Sequence, residues 1–165
     1  MNRFSNLSLV ASGFVLGLVP FMVAAQKEGS AQKEQPKPMK ITGTTLMPAA
    51  DLKWVPMPGL EGATQCALWG DSTKEAHRIF YKWPAGTKAP LHTHTAGDRG
   101  VVVSGTLGLA VDGAAVKKLP PGSYFSLAAG TKHATSVEGD AACVFYIERE
   151  GPFDAVFVDE AGKKQ

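Results

Sequence analysis

Two histidines stand one residue apart in the segment Pro90-Leu91-His92-Thr93-His94. On an extended chain, residues two apart point to the same face with their side chains close together. A His-x-His pair on a strand is therefore a ready pair of imidazole ligands for a metal ion, while Thr93 faces away. Imidazole is the commonest metal ligand, yet most histidines bind nothing, so the pair needs context. There are 4 histidines in all. A third, His133, ends the run Ala128-Ala129-Gly130-Thr131-Lys132-His133, and the fourth, His77, stands apart at a strand start and is read as non-functional. The sequence contains no G-x-S-x-G, no phosphate-binding loop, no paired carboxylates and no C-x-x-C. Nucleophilic hydrolysis and nucleotide chemistry therefore lack a residue set.

The elements that must carry these residues are short strands. Candidates are Gln65–Trp69, Arg78–Trp83, Gly100–Val103, Thr106–Val111, Tyr124–Leu127, Ala142–Glu148 and Ala155–Val158, with one helical turn over Pro48–Lys53. Turn residues separate them: Pro84-Ala85-Gly86, Asp112-Gly113, Pro120-Pro121-Gly122 and Glu138-Gly139-Asp140. Gly 18 and Pro 11 make turns frequent and a long helical bundle untenable. Short strands at this spacing predict an all-β sandwich or barrel. Ile79, Tyr81 and Trp83 alternate with Arg78, Phe80 and Lys82, so the first set is predicted to face the core. A length of 165 residues allows one such domain.

The histidines fall in a wider spacing. Gly86, His92, His94, Asp98 and Gly105 follow the order of the first cupin motif. Gly113, Pro121-Gly122 and the run Ala128 to His133 follow that of the second. In both motifs and in their separation the chain resembles the cupin superfamily, over about Gly59 to Phe157, and it is similar to the small single-domain members. The resemblance implies a jelly-roll-like β-barrel, here over residues 41–160, in agreement with the strand reading. It also implies a ligand set of His92, His94, Asp98 and His133. Three neutral nitrogens and a carboxylate suit a divalent first-row ion (Fe, Mn, Ni, Cu or Zn) with positions left open for water or substrate.

The acidic position in that family is normally Glu. Asp98 is one methylene shorter and reaches less far. Arg99 is next in line, but the count to Gly105 favours Asp98. Ile79, Tyr81, Trp83 and Phe125 are expected to wall the pocket, and Val102 and Ser104 share the phase of Asp98 if no bulge intervenes. Two functions remain open. One is an enzyme of dioxygenase or oxidase type acting on a small organic molecule. The other is a barrel that binds or senses a small molecule without a catalytic metal.

Lys+Arg 17 against Asp+Glu 15 leaves a net charge of +2, which gives no electrostatic footprint for nucleic acid. Residues 1–25 have a positive start, an apolar stretch and small residues at Val23-Ala24-Ala25, the pattern of a secretory signal peptide. The uncharged run from Phe4 to Ala25 is also long enough for an uncleaved anchor. Pro20 and the cleavage site favour the signal peptide, hence a bacterial periplasmic or secreted protein with no stable membrane anchor. Residues 26–40 are almost without apolar side chains and are expected to be a disordered tether. In an oxidising compartment the pair Cys66 and Cys143 suggests a disulfide. The apolar region Ile41–Trp54 suggests pairing into a homodimer.

Overall fold

Alternation along the chain sets the strands. In His77–Trp83, Ile79, Tyr81 and Trp83 are buried while Arg78, Phe80 and Lys82 lie nearer solvent, as the period of 2 requires. The computed structural model describes residues 43–159 and 161–164. The expected signal peptide (1–25) and tether (26–40) lie outside the described residues, as does the start of the barrel range.

Among the described residues eleven strands follow in chain order: β1 Val55–Pro56, β2 Thr64–Trp69, β3 His77–Trp83, β4 Lys88–Thr93, β5 Asp98–Ser104, β6 Thr106–Val111, β7 Lys117–Leu119, β8 Tyr124–Leu127, β9 His133–Glu138, β10 Cys143–Arg149 and β11 Val156–Phe157. They form two antiparallel sheets, a six-stranded one ordered β1-β2-β3-β10-β5-β8 and a five-stranded one ordered β11-β4-β9-β6-β7. The only helical element among the described residues is a single 3-10 turn, Ala49–Asp51. This is the expected all-β sandwich in a single domain. Between the sheets, Ile79, Tyr81, Trp83, Val102, Leu107, Leu109, Val137, Phe145 and Ile147 make the core.

Two connections position the site. After β4 the chain crosses to the other sheet within four residues, so His94 and Asp98 end up on facing walls. Between β5 and β6 it returns through Gly105, at φ 72°. A Cβ at Gly105 would collide with the Ala142 carbonyl, so the tight turn needs glycine.

Three expectations need correction. Cys66 and Cys143 are both buried free thiols. They sit on β2 and β10, on either side of β3, opposite Phe80 and Trp83 respectively. Those partners face opposite sides of the sheet, and two strand spacings of about 4.8 Å already exceed the Cα separation a disulfide tolerates. Ser104 is exposed, not a pocket residue. The register of β5 against β10 shifts between Val144 and Phe145, which takes the end of β5 out of phase. Finally, β10 runs one residue beyond its expected end, to Arg149.

Candidate metal centre

β4 and β9 are neighbours, and His92 lies directly opposite His133 in their register. His94 follows one residue beyond the end of β4. The three rings cluster on the cavity wall, tilted or edge-on to one another, with centroids 4.2 Å (His92–His133), 4.8 Å (His92–His94) and 5.2 Å (His94–His133) apart. Their ligating atoms all lie within 4.8 Å of one another, and all three residues are buried.

Each ring is held by the same device. Nδ1 of His92 meets the Pro90 carbonyl at 2.7 Å, Nδ1 of His133 meets that of Thr131 at 3.0 Å, and Nδ1 of His94 meets that of Asp154. A carbonyl only accepts, so Nδ1 carries the proton and Nε2 keeps its lone pair. The Asp154 carboxylate in turn accepts from the Thr95 amide at 3.0 Å, which ties the segment after β10 to the end of β4. The two motifs are also joined directly: the Gly130 amide donates to the His94 carbonyl at 2.9 Å. Burial pushes all three imidazole pKa values down, that of His92 to about 4, with His133 as a further cause. The rings are therefore neutral at pH 7.

Asp98 opens β5 on the opposite sheet and is buried. Its two carboxylate oxygens accept from Nε and Nη2 of Arg149, at 2.5 and 2.6 Å. Arg149 is the residue opposite it in the register of β10. Asp98 Oδ2 stands 3.8 Å from His94 Nε2. Among the described residues, the group able to hold a metal comprises His92, His94 and His133. Arg99 points outward and pairs with Glu150. His77 is buried, with Nδ1 within reach of the carbonyls of Glu75 and Gly151.

The histidines open onto a cavity of about 490 Å³. Tyr81, Trp83, Phe125 and Phe145 give it aromatic walls, and Ile79 lies behind them in the core. Burial pushes the Tyr81 phenol up to about 12, so it remains a hydroxyl. Burial likewise pushes the Cys143 thiol up to about 11, which removes it as a nucleophile. Phe153 and Phe157 bring their rings to 5.9 Å from His94 and 6.0 Å from His92. Arg149, Phe153 and Phe157 escaped the sequence reading. The signal for Arg149 was present, because Cys143, Phe145, Ile147 and Arg149 share one inward phase.

A family described as a domain of unknown function (DUF4437) matches residues 16–156. The chain belongs to the DUF4437 family. No curated protein matches this DUF4437 chain. Solved structures do. The polyketide cyclase RemF from Streptomyces resistomycificus is 20% identical, with TM-score 0.58 over 72% of this chain and 89% of its own. An RmlC-like cupin from Shewanella frigidimarina is 17% identical, with TM-score 0.54 over 67% of this chain and 93% of its own. The DMSP lyase DddQ from Ruegeria pomeroyi is 20% identical, with TM-score 0.54 over 69% of this chain and 64% of its own. The DUF4437 chain thus has a cupin-type fold. At these identities the likeness is one of fold, and what the site does must be argued from its own residues.

The residues present fit a divalent ion. Three neutral imidazoles with their Nδ1–H groups committed to carbonyls offer three Nε2 lone pairs, the outer-shell arrangement that metal-ligating histidines use. A His-rich donor set of this kind suits zinc, copper, iron or nickel.

Proposed function

We propose that this protein is an exported metal-binding cupin that transforms a small organic molecule. The observation that carries this is the convergence of His92, His94 and His133, each oriented through Nδ1, on the wall of an apolar cavity. These three residues would hold the ion, and Asp98 stands within reach of the set beside His94. A bound ion would supply Lewis acidity or, if redox-active, electron transfer. The chain's own part is separate. The aromatic walls exclude water and shape the substrate space, the Tyr81 hydroxyl is a donor at that wall, and the backbone carbonyls fix the imidazoles.

A second reading, a barrel that binds or senses a small molecule without catalysis, is favoured by one observation. Both oxygens of Asp98 are engaged by Arg149, which leaves the site without a free carboxylate base. Metal analysis of the purified protein tests the proposal. A stoichiometric redox-active ion supports the enzyme, zinc is compatible with both readings, and absence of any ion after loading and dialysis defeats the metal centre.

Export and pairing are part of the proposal. The N-terminal 25 residues would direct export, and a mature N-terminus other than one near Gln26 in periplasmic protein would refute that. Leu46 and Met47, 89% and 43% exposed, lie in the segment expected to pair two copies. Light scattering that shows a monomer at high concentration would exclude the homodimer.

A further inference from the structure

Two residues that line the cavity carry a buried nitrogen without a hydrogen-bond partner, Trp83 at Nε1 and Arg149 at Nη1, at opposite ends of the β3–β10 pairing, and only the second is charged. Arg149 is 3% exposed, and its Nε and Nη2 go to Asp98. Its Nη1 is buried and has no hydrogen-bond partner. A guanidinium has five N–H donors, and leaving one buried without an acceptor is unfavourable, more so when the group is charged. The Phe153 ring covers one face, 4.8 Å from the guanidinium carbon. An acceptor must therefore approach in the guanidinium plane.

Charge and shape narrow what that acceptor is. Asp98 cancels the charge of Arg149, and Asp98 is the one carboxylate among the lining residues, so no surplus negative charge opposes an anion. At the Arg149 end of the cavity a single unspent nitrogen matches one carboxylate better than a phosphate, which needs more donors. Most of the remaining lining is apolar and ring-rich, with Tyr81, Trp83, Phe125 and Phe145; Thr135 and the exposed Lys88 also line it. At about 490 Å³ the cavity lies within the range of small-molecule sites.

We propose that the cavity takes a small organic acid with an apolar, ring-sized body, its carboxylate accepting a hydrogen bond from Arg149 Nη1. This rests on the reading of the cavity as the ligand site, and it holds whether or not the histidines carry a metal. The rival is internal. His77 lies opposite Arg149 in the β3–β10 register, and its buried Nε2 also has no partner. A water shared by the two would satisfy both without any ligand.

The test uses the full chain, metal-free and zinc-loaded, titrated calorimetrically with 3-phenylpropanoate and with its neutral isostere 3-phenylpropanamide. The acid should bind the metal-free protein about tenfold more tightly than the amide, the smallest ratio a charge-assisted hydrogen bond supplies. The double variant Arg149→Gln/Asp98→Asn, which leaves neither partner as an unpaired charge, should lose that preference. Equal binding of acid and amide, or no binding of either, overturns the proposal and favours the shared water. A preference that appears only with zinc and survives in the double variant places the carboxylate on the ion and also overturns it. If the double variant fails to fold, nitrogen NMR of the parent decides. The Arg149 guanidinium resonances should move with the acid and not with the amide, and unmoved resonances in acid-saturated protein refute the contact. Failure to take up zinc would defeat the metal centre and leave the acid-to-amide ratio of the metal-free protein readable.

Discussion

At the scale of single residues, the three histidines and Asp98 have different stakes in the centre. Each imidazole is neutral, is fixed through Nδ1 and presents Nε2. Asp98 has both oxygens engaged by a buried arginine. Losing a true ligand should cost more than the roughly 10–100-fold in affinity typical of outer-shell partners. His92→Ala and His133→Ala are thus expected to lose bound metal entirely on dialysis. Asp98→Asn, which keeps the shape and one acceptor for Arg149, should retain it. Metal stoichiometry of the three variants reads this directly. Equal loss in Asp98→Asn would make Asp98 a full ligand despite its pairing. The sequence could indicate Asp98 through its motif position, but it could not show the arginine that holds it. That partner comes from a strand 51 residues away, and its arrival depends on the register of β5 against β10.

At the scale of elements, β2, β3, β5, β6, β8, β10 and β11 were legible and β1, β4, β7 and β9 were not; β9 alternates, but its inward face of His133, Thr135 and Val137 is too polar to mark a strand. β3, β6 and β8 lie where the pattern placed them. β4 carries His92 yet contains Pro90, which cannot donate to a ladder. The structure accommodates it in an irregularity of the β4–β9 pairing between Ala89 and His92. β7, only Lys117–Leu119, has too little pattern to be read. Close approach was equally hidden. Gly100, in β5, lies opposite Phe125, and a Cβ there would come within 2.5 Å of both the Phe125 ring and the Tyr146 carbonyl. The missing side chain is what lets Phe125 pack against β5 and wall the cavity. Gly100→Val should therefore destabilise the fold by about 1–3 kcal/mol through overpacking. Urea denaturation measures it, with the exposed Val103→Thr as the near-neutral control. A Gly100→Val midpoint equal to that of the parent would show that Phe125 can move aside without loss.

At the scale of the whole molecule, the centre couples to global stability because its ligands come from β4, the turn after it and β9. No local fragment of the chain contains all three. An ion that binds only the folded state adds about 2.7 kcal/mol when its free concentration is 100 times Kd, a rise in Tm of roughly 10 °C for a domain of this size. The pH dependence separates this from unspecific stabilisation. Without metal, the folded imidazoles stay neutral below the ordinary pKa of about 6.5, down to about 4 for His92. The unfolded chain takes up protons through that window and the folded chain does not. The metal-free fold is therefore fully stable above pH 6.5 and loses stability as the pH falls towards 4, by about 1.4 kcal/mol per pH unit for each proton. Burial lowers all three folded pKa values, so protons compete less for Nε2 in the folded state, and the rise in Tm on adding metal should shrink less between pH 7.5 and 5.5 than it would for three imidazoles of ordinary pKa. The measurement is Tm with chelator and with buffered free zinc at both pH values. A Tm indifferent to chelator would show that the histidines hold no ion. A metal-induced rise that shrinks between pH 7.5 and 5.5 as much as three imidazoles of ordinary pKa require would show that they titrate as exposed groups do, against the burial that depresses them.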